Sequence, residues 1–246
     1  MKKVVILGAT SGIAQEVQRM LIKEGVELLL VARNSERLLA IAADLGTRGA
    51  VNVATLAADL ADVSAHENLL AHVQEQLPEF DTILLAYGTR LDQEQCRHSV
   101  PMALQELHTN FISAAALLTV FADYFEERKS GCIAAITSVA GERGRRSNYV
   151  YGSAKGALSL FLQGLRSRLY ASGVRVITIK PGPVDTAMTD GMEKGSMFAD
   201  PRDVAKDICR AMEKRSPEIL YTPWKWKYVM AIVRAIPEGL FKRLNF

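Results

Sequence analysis

The feature that most constrains this chain is an alternation, kept up almost from end to end, of short apolar runs with segments of helical spacing. Val4 to Leu7 is an unbroken apolar run ended by Gly8, the pattern of a strand buried on both faces. Ile13, Val17, Met20 and Leu21 then share one helical stripe that runs to Lys23, and Gly25 supplies a C-terminal stop. The same order repeats: a strand over 28–31, a helix capped by Asn34 or Ser35 and running to Leu45, and a strand near 51–57. It continues with a helix over 62–77, a strand over 82–86, a long helix around 102–125, and a strand over 132–137. A helix over 149–170 and a strand over 174–179 follow. After Pro181 the pattern loosens, with a helix over 201–214 and a short strand over 219–221. Strands alternating with helices of this length predict an α/β fold, a doubly wound parallel sheet of about seven strands with helices on both faces.

At 246 residues the chain is long enough for three layers in one domain. Cys96, Cys132 and Cys209 are odd in number and dispersed, with no CxxC pair, so neither a disulfide framework nor a metal site is expected. The apolar run after Met1-Lys2-Lys3 is too short for a signal peptide, and no stretch reaches the ~20 apolar residues of a spanning helix. A cytoplasmic location is the expectation.

The net charge of +3 is unevenly placed. Lys225, Lys227, Arg234, Lys242 and Arg243 against Glu238 leave the last 25 residues at +4 and the rest of the chain at −1. We therefore divide the chain into a body over 1–222 and a basic C-terminal extension over 223–246. In the extension, Trp224, Trp226, Val229, Ile232, Val233, Ile236, Leu240, Phe241 and Leu244 fall largely at helical spacing, interrupted by Pro237. A basic, tryptophan-bearing amphipathic helix is the pattern of an interfacial membrane contact, which would place the protein at the inner face of a membrane. It is equally the pattern of a segment packed on its own domain, over a cleft, or on another subunit. The basic residues lack a stacking platform, so nucleic acid is not an expected partner.

Gly8, Thr10, Ser11, Gly12 and Ile13 occupy the first strand–helix junction. A glycine turn there lets the backbone approach a pyrophosphate, and the helix N-terminus supplies N–H donors, the arrangement of a Rossmann-type dinucleotide site. Its spacing, GxxxGxA, differs from GxGxxG. The second strand ends Val31-Ala32-Arg33-Asn34 with no acid to hold the ribose hydroxyls of NAD(H), whereas Arg33 suits a 2′-phosphate, which favours NADP(H). Asp59, after the third strand, suits either an adenine contact or a turn cap. Tyr151 and Lys155 stand one helical turn apart on one face, and a nearby ammonium favours the phenolate of a tyrosine whose free pKa is about 10. Ser138 ends the preceding strand at the carboxyl edge of the sheet, where ligands of such folds bind. Asn110, a poor helix former inside the long helix, carries a side chain able to hold a water.

The glycine turn, Asn110, Ser138, Tyr151, Lys155 and Pro181-Gly182-Pro183-Val184-Asp185-Thr186 have the order and spacing of the short-chain dehydrogenase/reductase family, which the chain resembles over nearly its whole length. The resemblance implies an NAD(P)(H)-dependent oxidoreductase. Tyr151 would be the general acid/base and Ser138 would orient the carbonyl. Lys155 would bind the nicotinamide ribose and lower the tyrosine pKa, and Asn110 would hold a water in the proton relay. Gly88, Pro181, Gly182, Val184 and Thr186 would complete the cofactor site, with Thr186 on the carboxamide. It also implies a homodimer or homotetramer through the helices after the fourth and fifth strands. Two departures stand out: Leu85-Ala86-Tyr87-Gly88 replaces the usual Asn-Asn-Ala-Gly, and Ala14 replaces the third glycine of the turn.

Between Ser138 and Tyr151, Arg143, Arg145 and Arg146 crowd a loop that borders the site, which suits a phosphate or other acidic group on the substrate. This loop and the tail resemble those of decaprenylphosphoryl-2-keto-ribose reductases, implying a keto-sugar substrate, lipid-linked through a polyprenyl phosphate. A 3-ketoacyl thioester reductase and a catalytically silent dinucleotide-binding scaffold are the alternatives.

Overall fold

Val4 and Ile6 face one side of the sheet and Val5 and Leu7 the other, and all four are inaccessible to solvent. A strand apolar on both faces must be covered on both faces, and the chain supplies two helical layers to do it. The structure, a computed structural model, describes residues 1–213 and 217–244. Its strands are β1 (Lys3–Leu7), β2 (Glu27–Ala32), β3 (Val53–Ala57), β4 (Thr82–Leu85), β5 (Cys132–Ile136), β6 (Arg175–Pro181) and β7 (Ile219–Thr222). They form one parallel sheet in the order β3-β2-β1-β4-β5-β6-β7. In chain order the helices are α1 (Gly12–Leu21), α2 (Ser35–Thr47), α3 (His66–Gln76), α4 (Gln93–His98), α5 (Val100–Leu107), α6 (Ser113–Arg128), α7 (Tyr149–Leu169), α8 (Pro201–Glu213), α9 (Lys225–Ala235) and α10 (Glu238–Phe241).

Alternate strand residues sort the core into two halves. Val4, Ile6, Leu28, Leu30, Leu84 and Ile177 pack with α1, α2 and α8. Val5, Leu7, Leu29, Ile83, Leu85 and Ile133 pack with α3, α6 and α7. The expected doubly wound sheet is therefore the observed one; the element ends differ from expectation by up to four residues, most at the start of α3, where a 3-10 turn over Val63–Ala65 precedes the helix. Gly25 does stop the first helical segment, in the left-handed region at φ 69°, after a short 3-10 turn. Asn34 is the cap of α2, its side chain accepting from the Arg37 N–H at 2.8 Å. Lys214, the expected end of the helix over 201–214, lies outside the described residues.

Two local features were not legible. The polar stretch Gln93–His98 is helical, although it lacks an apolar stripe. The long helix expected around 102–125 begins at Val100 and is interrupted by one π turn, His108–Ile112. Such turns insert a residue without ending the helix and rotate the side chains that follow. Here the turn carries Asn110 inward, 1 % exposed, to the carboxyl end of β4.

The segment after β5 is set by contacts between backbones. A 3-10 turn, Val139–Glu142, lies directly on α7, and a Cβ on Gly156 would stand 2.8 Å from the Gly141 carbonyl oxygen. A Cβ on Gly152 would likewise come within 2.9 Å of the Ala140 carbonyl oxygen. Gly156→Ala is therefore expected to destabilise the protein by about 1–3 kcal/mol in urea unfolding. Gly46→Ala, in open space on α2, should instead stabilise it by about 0.5–1 kcal/mol.

Candidate active site

Because β1 pairs with both β2 and β4, the chain leaves it toward opposite sides, and a crevice opens over the carboxyl ends of β1 and β4. Gly8 forms its floor. Its φ is 91°, and a Cβ there would stand 2.5 Å from the Tyr87 backbone nitrogen. The turn is pinned to β2 by the N–H groups of Gly8 and Ala9, both donated to the Val31 carbonyl. It is braced from α1 by Gln15, which donates to the Thr10 carbonyl, and by Gln18, which donates to the Ala9 carbonyl at 2.7 Å. Ser11 caps α1 through the Ala14 N–H. The Ala14 methyl is buried in the core, away from the turn's open side, which is how the third glycine is dispensed with.

A cleft of about 750 Å³ runs from this turn to the tyrosine–lysine pair. One end is lined by Arg33, Arg37 and Asp59, the middle by Thr10, Ser11, Gly12, Ile13 and Gly88. The far end is lined by Ser138, Tyr151, Lys155, Pro181, Gly182, Val184 and Thr186. Sequence reasoning missed Arg37, which lies one helical turn beyond Arg33 in the chain. Asp59 has both of its anticipated roles open to it: it lines the cleft, and its carboxylate accepts from the Ala61 N–H at 3.0 Å. The departure at β4 is compensated by Tyr87. Its phenol reaches Ser113 on α6 at 2.9 Å and the Leu60 carbonyl at 3.5 Å, joining three segments at the crevice. Gly88 is needed for close approach, since a Cβ would stand 2.5 Å from Asn110 Oδ1 and 3.2 Å from Lys155 Nζ. Gly12 similarly admits Thr186, whose methyl would be 2.9 Å from a Cβ.

At the chemical end, Ser138 caps the 3-10 turn through the Ala140 N–H and lines the cleft beside the Tyr151 phenol. Burial pushes the phenol up to about 12; Glu106 adds to the rise, while Ser138 and Arg90 oppose it. Lys155 is 3 % exposed, and burial pulls its ammonium down to about 8 against the attraction of Glu106. Its Nζ stands 3.4 Å from the Ile136 carbonyl and 5.9 Å from the Tyr151 ring centre. Asn110 is held in place by protein groups. Its amide donates to the Glu106 and Thr89 carbonyls, and its Oδ1 accepts from the Thr89 N–H. The side chain is committed to protein groups on both sides.

The comparisons with known proteins agree with this geometry. The family model described as short chain dehydrogenase matches residues 2–196. An uncharacterised oxidoreductase of Mycobacterium tuberculosis is 34% identical over 241 residues, covering 98% of this chain and 96% of its own. Another from Streptomyces coelicolor is 32% identical over 246 residues, covering 99% and 96%. The chain belongs to the short-chain dehydrogenase family. It is accordingly a dehydrogenase/reductase enzyme. Among solved structures, a Burkholderia cenocepacia short chain dehydrogenase in complex with NADP has a TM-score of 0.83 at 19% identity, with full coverage of both chains. An actinorhodin polyketide ketoreductase with NADPH has a TM-score of 0.80 at 22% identity, covering 89% of this chain and 95% of its own. At these identities the likeness is one of fold.

In this short-chain dehydrogenase the three loop arginines do not act together. Arg145 lines the cleft, half-buried, with burial lowering its pKa. Arg146 is exposed and outside the cleft. Arg143 corrects the expectation of a substrate contact. Its guanidinium donates to the carbonyls of Val233, Arg234 and Ile236, pairs with Glu238 and lies 3.7 Å over the Phe241 ring. Those carbonyls lie at the C-terminal end of α9, where a cation is favoured by the unpaired carbonyls and the helix dipole. The inner face of α9 packs back on the body: Trp226 and Met230 are buried with Val139, and Trp226 lines the cleft beside Gly182. Arg143→Ala is expected to cost about 2–3 kcal/mol in unfolding free energy. It should also expose 223–246 to limited proteolysis.

Proposed function

We propose that this short-chain dehydrogenase is a carbonyl reductase that prefers NADP(H) to NAD(H). The observation that carries the reading is one continuous cleft with two arginines at its outer end and the Ser138–Tyr151–Lys155 group at its inner end. The residues fit a dinucleotide: at Gly8, Gly12 and Gly88 a Cβ would collide with Tyr87, Thr186 and Asn110, so the segments lining the cleft close up on one another there, and the N-terminus of α1 offers N–H donors to a pyrophosphate. Gly8, Thr10, Ser11, Gly12 and Ile13 would hold the pyrophosphate, Arg33 and Arg37 a 2′-phosphate, and Asp59 the adenine side. Gly88, Pro181, Gly182, Val184 and Thr186 would hold the nicotinamide end. The nicotinamide supplies or accepts the hydride.

The chain's own groups handle the proton. Tyr151 donates it to the carbonyl oxygen during reduction, and Ser138, beside it in the cleft, orders that oxygen. A phenol held near 12 by burial needs positive charge nearby to act at neutral pH, and Lys155 as ammonium is positioned to supply it. Asn110 positions the Thr89 loop against this group through three side-chain bonds to Thr89. Tyr151→Phe is expected to lower turnover by about 10²–10⁴-fold with NADPH affinity retained. A silent scaffold would show no such loss. Calorimetry should give tight NADPH binding that weakens by about 1–3 kcal/mol in Arg33→Ala or Arg37→Ala, with NADH binding unchanged; equal NADH and NADPH binding would overturn the preference.

For the substrate we favour a bulky keto compound with an anionic group, such as a phosphorylated keto-sugar, because Arg145 is the loop arginine at the cleft. Arg145→Ala should raise KM for phosphorylated keto-sugars and spare neutral ketones. Turnover of ketoacyl thioesters in their place would favour the thioester reading. A lipid-linked substrate is supported by the outer face of α9, where Trp224, Tyr228 and Ile232 recur every four residues, exposed, beside Lys225 and Lys227. No helix among the described residues is long and apolar enough to cross a membrane. A homodimer through α6 and α7 is supported by a second concavity lined by Phe111, Leu160, Phe161 and Leu165, with Leu160 exposed.

A further inference from the structure

Glu106, on α5, is a carboxylate with 1 % of its surface exposed, within a helix where any apolar residue would pack. Burying a charge is costly unless something compensates it. Oε2 accepts from the Thr89 hydroxyl at 2.6 Å, whereas Oε1 has no hydrogen-bond partner among the described residues. None of the ion pairs found there involves Glu106. Lys155, 3 % exposed, is likewise buried, and none of the ion pairs found among the described residues involves it. Two bridges join them. Thr89 holds the carboxylate through its hydroxyl and receives the Asn110 amide on that hydroxyl, at 3.2 Å, and on its carbonyl. Asn110 Oδ1 and Lys155 Nζ in turn face each other across Gly88, where the absent Cβ would lie 2.5 Å and 3.2 Å from them.

We propose that Glu106 is the counter-charge of the Tyr151–Lys155 pair, a positioning residue that keeps Lys155 an ammonium ion in a site too buried to do so alone. The proposal rests on the reductase reading for its purpose, since that reading needs a cation beside the phenol, and on the geometry above for its substance. It explains why Asn110 is committed to Glu106 and Thr89: the π turn holds the carboxylate's support in place. The charged groups at the Tyr151–Lys155 pair are Glu106 on α5, which acts on both members, and Arg90 in the loop after β4, which acts on Tyr151. Of these, Glu106 acts on the lysine, opposing the effect of burial, and it also disfavours the phenolate. Its removal must therefore lower both titrations, so the lysine has to be read directly.

The test is an NMR titration of the Lys155 side chain in the full-length, ligand-free enzyme, assigned with Lys155→Met. The wild type is expected to titrate near 8. Glu106→Gln, which keeps the shape and removes the charge, should lower that midpoint by about 1 unit. Glu106→Asp, which keeps the charge one methylene further back, should fall between the two. A folded Glu106→Gln with the wild-type midpoint would overturn the proposal. If the glutamine variant does not fold, the aspartate variant decides: a lowered midpoint supports the proposal and an unchanged one overturns it. The titration needs no substrate, so failure to reduce any carbonyl would count against the reductase reading alone.

Discussion

The chemical end of this enzyme depends on one contact between backbones, the Val139–Glu142 turn lying on α7 without side chains between them. It exists because Gly141, Gly152 and Gly156 lack Cβ atoms at the crossing. Glycine inside a helix costs roughly 0.5–1 kcal/mol relative to alanine, and α7 carries two at this crossing. What that cost secures is position. Ser138 at the head of the turn meets Tyr151 on the helix, while Glu142 at its end points away from the cleft into the interior.

From Glu142 the constraint spreads to the rest of the cleft wall. Its carboxylate, 3% exposed, pairs with Lys180 at the end of β6, accepts from the Tyr221 phenol on β7, and approaches Arg234 on α9. Burial and the adjoining carboxylate together push the Tyr221 phenol up to about 12, so it stays a donor. A buried charge with a cation and a hydroxyl in place is tolerable; removing one partner strands the other. Arg143, next in the chain, grips the far end of α9. Loop, sheet edge and tail thus form one wall, and Trp226 reaches the cleft because that wall holds α9 in place.

Two buried carboxylates therefore serve the site in opposite ways. Glu142 is neutralised by direct contact and holds structure. Glu106 is held by Thr89, stands apart from its cation, and acts on both Lys155 and Tyr151 through a region of low polarity, where charge interactions carry further than in water.

Much of this was legible in the sequence. Unbroken apolar runs such as Val4–Leu7 determine strands covered on both faces, and Gly8, Gly12 and the Tyr151–Lys155 spacing mark the middle and the inner end of the cleft, because these signals are local. Tertiary structure alone decided the rest. Three arginines within four residues read alike in the chain, yet Arg143 turns to the tail and Arg145 to the cleft, while Arg146 is exposed outside the cleft. The tail's apolar stripe was ambiguous between lipid and protein because amphipathicity records that a face is buried, not against what. Glu106 gave no signal at all: a lone acid in a helix is ordinarily solvated, and only the packing of α5 against the lysine removes the water that would have screened it.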